Sequence, residues 1–286
     1  MTIVRSTLIT LGIIVILFAF EFLFAFTFSS VISNNQLTAN QNITGLYLIL
    51  PYLITYSLVL IYFKFSKFNF CLTNKTIQIR IKILVFTIFL IVIGNKFVEL
   101  PFFDWKILFN KYLGTSFVIG NYSDHRYSTS LLYLALNVVI ISPFFEECIF
   151  RYYMVGGLLK KYNFLTSILT SSILFSLIHI SSPRNLIPTF ILGFTSAIIY
   201  YNTKKIIFSI ILHLLYNFLW FITFVFGGKY EELKNHVGYG GSYLVLFFIG
   251  VLLLFLGLNK ITTNKFSLSI FRVFTKSASA KYSNKR

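Results

Sequence analysis

Eight apolar runs of near bilayer-crossing length constrain this chain more than any other feature. They lie at about 8–32, 44–63, 81–98, 131–158, 163–182, 186–201, 206–226 and 241–258. A helix rises about 1.5 Å per residue, so about 20 apolar residues cross a hydrocarbon core of about 30 Å. Within that core the backbone finds no water, and a spanning segment must bond its own N–H and C=O groups as a helix. The predicted fold is therefore all-α, a polytopic transmembrane helix bundle of about eight spans. Composition agrees: 57% of residues are hydrophobic and 12% charged, against about 25% charged in soluble domains. Residues 8–28 outrun a signal-peptide core of about 7–15 residues and lack an A-x-A site after them, so they read as a retained first span. Pro188 and Gly193 are expected to interrupt the sixth run. The long linker 99–130, with Phe102, Phe103 and Trp105 among charges, reads as interfacial. Three regions follow: 1–130, N-terminal helices and linker; 131–226, a helical core; and 227–286, a last span and a basic tail.

The net charge of +17 would suit nucleic acid, but the basic residues sit in short loops and a tail between apolar runs. That distribution fits an anionic lipid surface as partner, not nucleic acid. With the N-terminus inside, Arg5, Lys64, Lys67, Lys75, Arg80, Lys82, Lys160, Lys161, Lys204, Lys205 and seven tail residues face inward, 17 in all. Seven face outward: Lys96, Lys106, Lys111, Arg126, Arg184, Lys229 and Lys234. The excess puts both termini in the cytoplasm of a multi-pass cell-membrane protein. Cys71 and Cys148 are the two cysteines, too few for a disulfide framework or a Cys-based metal site.

Of eight acids, Glu99, Asp104, Asp124, Glu231 and Glu232 fall in the expected outer loops. Glu21, Glu146 and Glu147 fall inside spans, where a carboxylate costs roughly 2.5–3.5 kcal/mol and so needs a partner or a purpose. The fourth run reads Pro143-Phe-Phe-Glu146-Glu147-Cys-Ile-Phe-Arg151. Glu147 and Arg151, at i and i+4, can pair. Glu146 is turned by about 100° and can face elsewhere. One carboxylate is then held as an ion while the other exchanges protons, as general-base chemistry requires. The structural alternative is an ionic cluster that locks helices together.

The fifth run carries Phe175 and His179, and the seventh carries His213 and Asn217, each pair four residues apart and so on one helical face. Taken singly, these read as packing or interhelical hydrogen bonds. Taken together, Glu, His, His and Asn from three helices can enclose one water. Two His and a carboxylate would also make a zinc set with an open fourth position, but no H-E-x-x-H is present.

In this order the three motifs resemble the CPBP intramembrane proteases (CAAX protease and bacteriocin-processing, or Abi), relatives of the type II CAAX prenyl proteases. The family pattern, Glu-Glu-x-x-x-Arg, Phe-x-x-x-His and His-x-x-x-Asn or Asp, is met by Glu146-Glu147-x-x-x-Arg151, Phe175-x-x-x-His179 and His213-x-x-x-Asn217, within 131–226. The resemblance implies peptide-bond hydrolysis near the membrane by glutamate-activated water, with no metal favoured. It implies Glu146 as base, assisted by His179, and His213 with Asn217 as the oxyanion pair. Glu147 is then the partner of Arg151. A peptide or protein precursor such as a leader, pheromone or bacteriocin is the implied substrate. The alternatives are a non-enzymatic scaffold or immunity protein on the same fold, and a proton-coupled transporter, which would show inverted repeats that this sequence lacks.

Depth opposes a shared pocket. Counted from residue 131 inward, Glu146 lies about 22 Å below the outer edge, while His179 lies about 22 Å from the inner edge. In a 30 Å core the two would miss by about 14 Å. Other polar residues read as structural: Glu21 as a contact to another helix, Asn137 and the Ser/Thr group at 166–172 as packing hydrogen bonds, and His125 and His236 as solvated. The tail 259–286 reads as an inner-leaflet segment.

Overall fold

The computed structural model of the chain describes residues 1–27, 41–65, 81–103, 129–182, 185–237 and 241–262. The described residues are helical and carry no strand. In chain order the helices are α1 (Ile3–Thr27), α2 (Gln41–Phe65), α3 (Ile81–Phe103), α4 (129–158), α5 (Phe164–Leu177), α6 (Leu186–Thr203), α7 (Ile206–Val225), α8 (Gly227–Val237) and α9 (Gly241–Thr262). Six are long and apolar enough to cross a membrane: α1, α3, α4, α6, α7 and α9. The apolar parts of α2 and α5, Leu48–Lys64 and Phe164–Leu177, are shorter.

The bundle is apolar outside, and its interior mixes a hydrophobic core with buried polar side chains. Phe22, Leu132 and Phe248 are more than 60% exposed, whereas Thr10, Thr55, Thr87, Asn95, Ser167 and Ser171 are buried. Where lipid is the solvent, burying an apolar side chain gains little, and packing with interhelical hydrogen bonds takes over. Helices α3 and α9 illustrate this. They run antiparallel and touch at glycines, so closely that a Cβ on Gly250 would lie 2.9 Å from the Gly94 carbonyl oxygen and one on Gly257 2.6 Å from Ile91.

One end of the bundle gathers Met1, whose amino group donates to the Gly157 carbonyl at 3.0 Å, and Arg5, which donates to the Tyr62 hydroxyl at 2.9 Å. At this end Leu258 of α9 packs on Tyr200 and Val155. The loops bearing Lys160, Lys161, Lys204 and Lys205 lie here as well, beside Leu159 and Tyr201 of the same cluster. The connection between α6 and α7 is a tight turn in which Lys204 adopts φ 56° and its N–H closes on the Tyr200 carbonyl at 2.8 Å.

Several expectations change. The sixth run is not interrupted: α6 is continuous, because Pro188 lies in its first turn, where N–H groups have no intrahelical partner. Gly193 sits where a side chain would meet the Phe175 ring, with a Cβ–Cδ1 distance of 2.9 Å. Glu99 is not in an outer loop but buried in α3, where it accepts from Lys96 at 2.7 Å and from the Tyr216 hydroxyl. The segment expected as a loop after α7 is the helix α8, on which His236 is exposed. Residues 104–128, with His125, and the tail from 263 lie outside the described residues.

Candidate active site

The site is built on the break in α4. Helical turns at 129–135 and Ser142–Glu147 alternate with wider π-helical turns at Leu136–Ile141 and Cys148–Val155. Pro143 gives the reason. The Ser142 N–H reaches back five residues to the Asn137 carbonyl, so the next donor in that register would be residue 143, which as proline has none. The Val138 carbonyl is left over, and Asn217 of α7 supplies the missing donor, Nδ2 to O at 2.8 Å. Asn137 ties the same turn to α2 through the Leu48 carbonyl at 2.7 Å, and its Oδ1 accepts from Ser142 at 3.2 Å. Wide turns of this kind re-aim side chains at functional sites. Here they set Glu146 and Glu147 toward different neighbours.

Glu147 is fully buried and fully engaged. Its Oε1 accepts from Arg151 Nη2 at 3.1 Å and faces His213 Nδ1 at 3.0 Å. Its Oε2 lies 3.0 Å from Arg151 Nε and accepts from Ser196 Oγ at 2.6 Å. Ser196 also lies 3.1 Å from Arg151 Nε, so one hydroxyl on α6 braces the ion pair. The guanidinium rests on the Phe175 ring, 4.5 Å from its centroid. The same ring meets His179 at 5.2 Å and His213 at 5.6 Å, both edge-on. Phe175 is thus the apolar post around which the charged groups are arranged, and Gly193 makes room for it.

Glu146, one residue earlier, is held on one side only. Its Oε1 accepts from the Tyr56 hydroxyl of α2 at 2.8 Å. Its Oε2 is buried without a hydrogen-bond partner among the described residues and lies 3.8 Å from His213 Nε2. His179 sits just past the end of α5, with Nδ1 3.1 Å from the Phe175 carbonyl oxygen. A carbonyl only accepts, so Nδ1 carries the hydrogen and the neutral ring keeps its lone pair on Nε2. Both Glu146 and His179 line a cavity of about 360 Å³ together with His213, Tyr216, Asn217 and Ser142. Both also line a second cavity of about 180 Å³ on the side of α1 and Tyr52.

The depth conflict is resolved by the lengths of the helices. Counted from the end near Lys160, Glu146 lies 12 residues above Leu158 and His179 lies 15 above Phe164, about 18 and 22 Å along their axes. The mismatch arose from measuring Glu146 down from the outer edge, although α4 is longer than one bilayer crossing and α5, with 14 residues, is shorter. Among the described residues no three His, Cys, Asp or Glu side chains form a metal-holding set.

The structure therefore brings Glu146, His179, His213 and Asn217 around one cavity, with Glu147 and Arg151 fully buried behind it. Tyr56 and Ser196 were missed. Tyr56 lies in the first third of the chain, where no motif drew attention to it; its spacing of four from Tyr52 was the available signal. Ser196 belongs to α6, which carries no charged residue between Leu186 and Thr203.

Comparison with known proteins points the same way. Residues 128–219 match the family described as type II CAAX prenyl endopeptidase Rce1-like. The protein named "Putative membrane peptidase YdiL" in Bacillus subtilis (strain 168) is 34% identical over 114 residues, which are 40% of this chain and 44% of that protein. The chain thus covers less than half of this relative. No solved structure matches the chain. Through residues 128–219, which hold the broken helix, both histidines and the asparagine, the chain is similar to the Rce1-like type II CAAX prenyl endopeptidases.

Proposed function

We propose that the chain is a cell-membrane endopeptidase that hydrolyses a peptide bond near the bilayer with water activated by Glu146. The observation that carries this reading is the unequal treatment of two adjacent carboxylates. Glu147 has both oxygens occupied by Arg151, Ser196 and His213, whereas Glu146 keeps a buried oxygen without a partner on a cavity wall. A base must have a lone pair to offer, and of the two only Glu146 has one.

In the proposed reaction Glu146 Oε2 takes a proton from a water in the cavity, and the resulting hydroxide attacks the peptide carbonyl carbon. The carbonyl oxygen becomes an oxyanion. It is met by the second amide hydrogen of Asn217, the first being held by Val138, and by His213, which lines the same cavity with its Nδ1 anchored on Glu147. The C–N bond then breaks as Glu146 returns its proton to the departing nitrogen. His179 Nε2 faces this exchange as a second acceptor that orients the water. No step is routed through zinc; the nitrogens that would hold it are Nε2 of His179 and of His213, since Nδ1 of each is directed to the Phe175 carbonyl and to Glu147. The substrate is a peptide or protein precursor, and membrane lipids are the surrounding partner. The positive residues at the Met1 end favour a cytoplasmic side for that end.

The test is Glu146→Gln, which keeps the shape and the Tyr56 contact but removes the basic oxygen. With the purified protein and a quenched-fluorescence peptide library, cleavage is expected to fall about 10²–10⁴-fold, while the wild-type rate survives EDTA. In cells, small secreted peptides followed by mass spectrometry should lose a processed form. Unchanged processing at normal protein level would sink the proposal and leave the scaffold or immunity reading.

A further inference from the structure

Helix α2 presents two tyrosines one turn apart, and each donates to a different carboxylate. Tyr56 donates to Glu146 at 2.8 Å, and Tyr52 donates to Glu21 of α1 at 3.2 Å. Glu21, Tyr52, Tyr56, Glu146 and His179 line the smaller cavity, whose other wall includes the apolar Leu17 and Phe18. The sequence reading of Glu21 as a polar contact to another helix holds, but that contact leaves the carboxylate unexplained. A phenol is neutral, and no Lys, Arg or His among the described residues pairs with Glu21. Among the described residues the cavity therefore holds two carboxylates, Glu21 and Glu146, and no basic side chain except His179. Such a space favours a cation that arrives with the substrate.

We propose that Glu21 is the specificity residue of a substrate subsite that takes a cationic nitrogen, supplied by a Lys or Arg side chain or by a free amino terminus. This rests on the peptidase reading above. The spacing sets the register. Tyr52 and Tyr56 are four residues apart on one helix, about 6 Å along its axis, and their ring centroids are 6.3 Å apart. An extended peptide advances about 3.3 Å per residue, so the cation sits roughly two residues from the scissile bond. The apolar wall from α1 accommodates the stem of a long basic side chain, as such chains bury their methylenes and keep the charge at a polar tip.

The experiment uses the full chain in detergent micelles with N-acetylated quenched-fluorescence peptides. Each carries Lys, norleucine or Glu at successive positions around the cleaved bond, and a parallel set keeps a free amino terminus. For wild type, kcat/KM is expected to favour Lys over norleucine on the order of tenfold at one position. In Glu21→Gln, which still accepts from Tyr52, that ratio should fall to near one, and in Glu21→Lys the Glu peptide should become the preferred one. A preference that follows the free amino terminus and not Lys assigns the cation to the terminus. Equal ratios in wild type and Glu21→Gln overturn the subsite. Binding of the same peptides to the Glu146→Gln protein, read by fluorescence anisotropy, separates the two claims. A Lys preference there that Glu21→Gln abolishes sustains the subsite even if no peptide is cleaved, and cleavage without any charge preference sustains the peptidase alone.

Discussion

Glu146 and Glu147 are the same residue type at adjacent positions, and their neighbours make them chemically different. Glu147 is tied by a guanidinium, a hydroxyl and an imidazole, while a single phenol, Tyr56, steadies Glu146. That phenol aims the free oxygen by holding the other one. Tyr56 also stacks on Phe145, with centroids 5.8 Å apart and planes 17° off parallel, so its ring stays placed without the hydroxyl. A hydrogen bond to a charged acceptor contributes about 1.5–3 kcal/mol, which is roughly 10- to 100-fold in rate. Tyr56→Phe is therefore expected to lower kcat by about that factor with little change in KM or melting temperature, as measured by steady-state cleavage and thermal unfolding in detergent. A kcat equal to wild type would show that Tyr56 does not position the proposed base.

Among elements, α4 and α7 depend on each other through one carbonyl. Pro143 removes a donor, and Asn217 returns it to Val138 from the next helix. The Asn of the His-x-x-x-Asn motif thus has a structural job besides the oxyanion role implied by family resemblance. Asn217→Leu leaves the Val138 carbonyl unpaired in a low-dielectric setting and is expected to cost about 1–2 kcal/mol. Pro143→Ala restores an N–H in the register that the π-helical turn leaves open. The double variant should recover much of the loss, and a thermodynamic cycle measures the coupling. Strict additivity of the two single effects would refute the exchange of donors. The element lengths matter equally: α5 ends early, at Leu177, and this puts His179 at the level of a glutamate halfway along α4.

At the scale of the whole molecule, the region matched to the family is braced by helices outside it. α2 supplies Tyr52 and Tyr56, α1 supplies Glu21, and α3 reaches α7 through Lys96, Glu99 and Tyr216, with Lys96 Nζ 3.7 Å from the Tyr216 ring centroid. α3 is in turn clasped by α9 through backbone-to-backbone contact at Gly94 and Gly250. Gly250→Val places a branched side chain where 2.9 Å separates a Cβ from the Gly94 carbonyl and from Val98. The helices must part, at about 1–3 kcal/mol, which a fall in melting temperature in detergent reports. Gly12 has nothing within 4 Å of its Cβ position, so Gly12→Ala serves as the control and should be neutral or slightly stabilising. Equal behaviour of the two variants would mean that the close contact does not hold the bundle.

Apolar length and charge placement are local properties, and they sufficed for an all-helical membrane bundle. Residue spacing within single helices sufficed for the Glu147–Arg151 pair and for the shared faces of His179 with Phe175 and of His213 with Asn217, because i and i+4 coincide on any helix. What spacing cannot carry is depth and partnership between helices. That Glu146 and His179 share a cavity depends on a long α4 and a short α5. That Glu146 is the free carboxylate depends on Ser196, Tyr56 and His213, which lie 50, 90 and 67 residues away from it in the chain. Only tertiary packing sets those distances, since a low-dielectric interior decides each acid's role by which donors reach it.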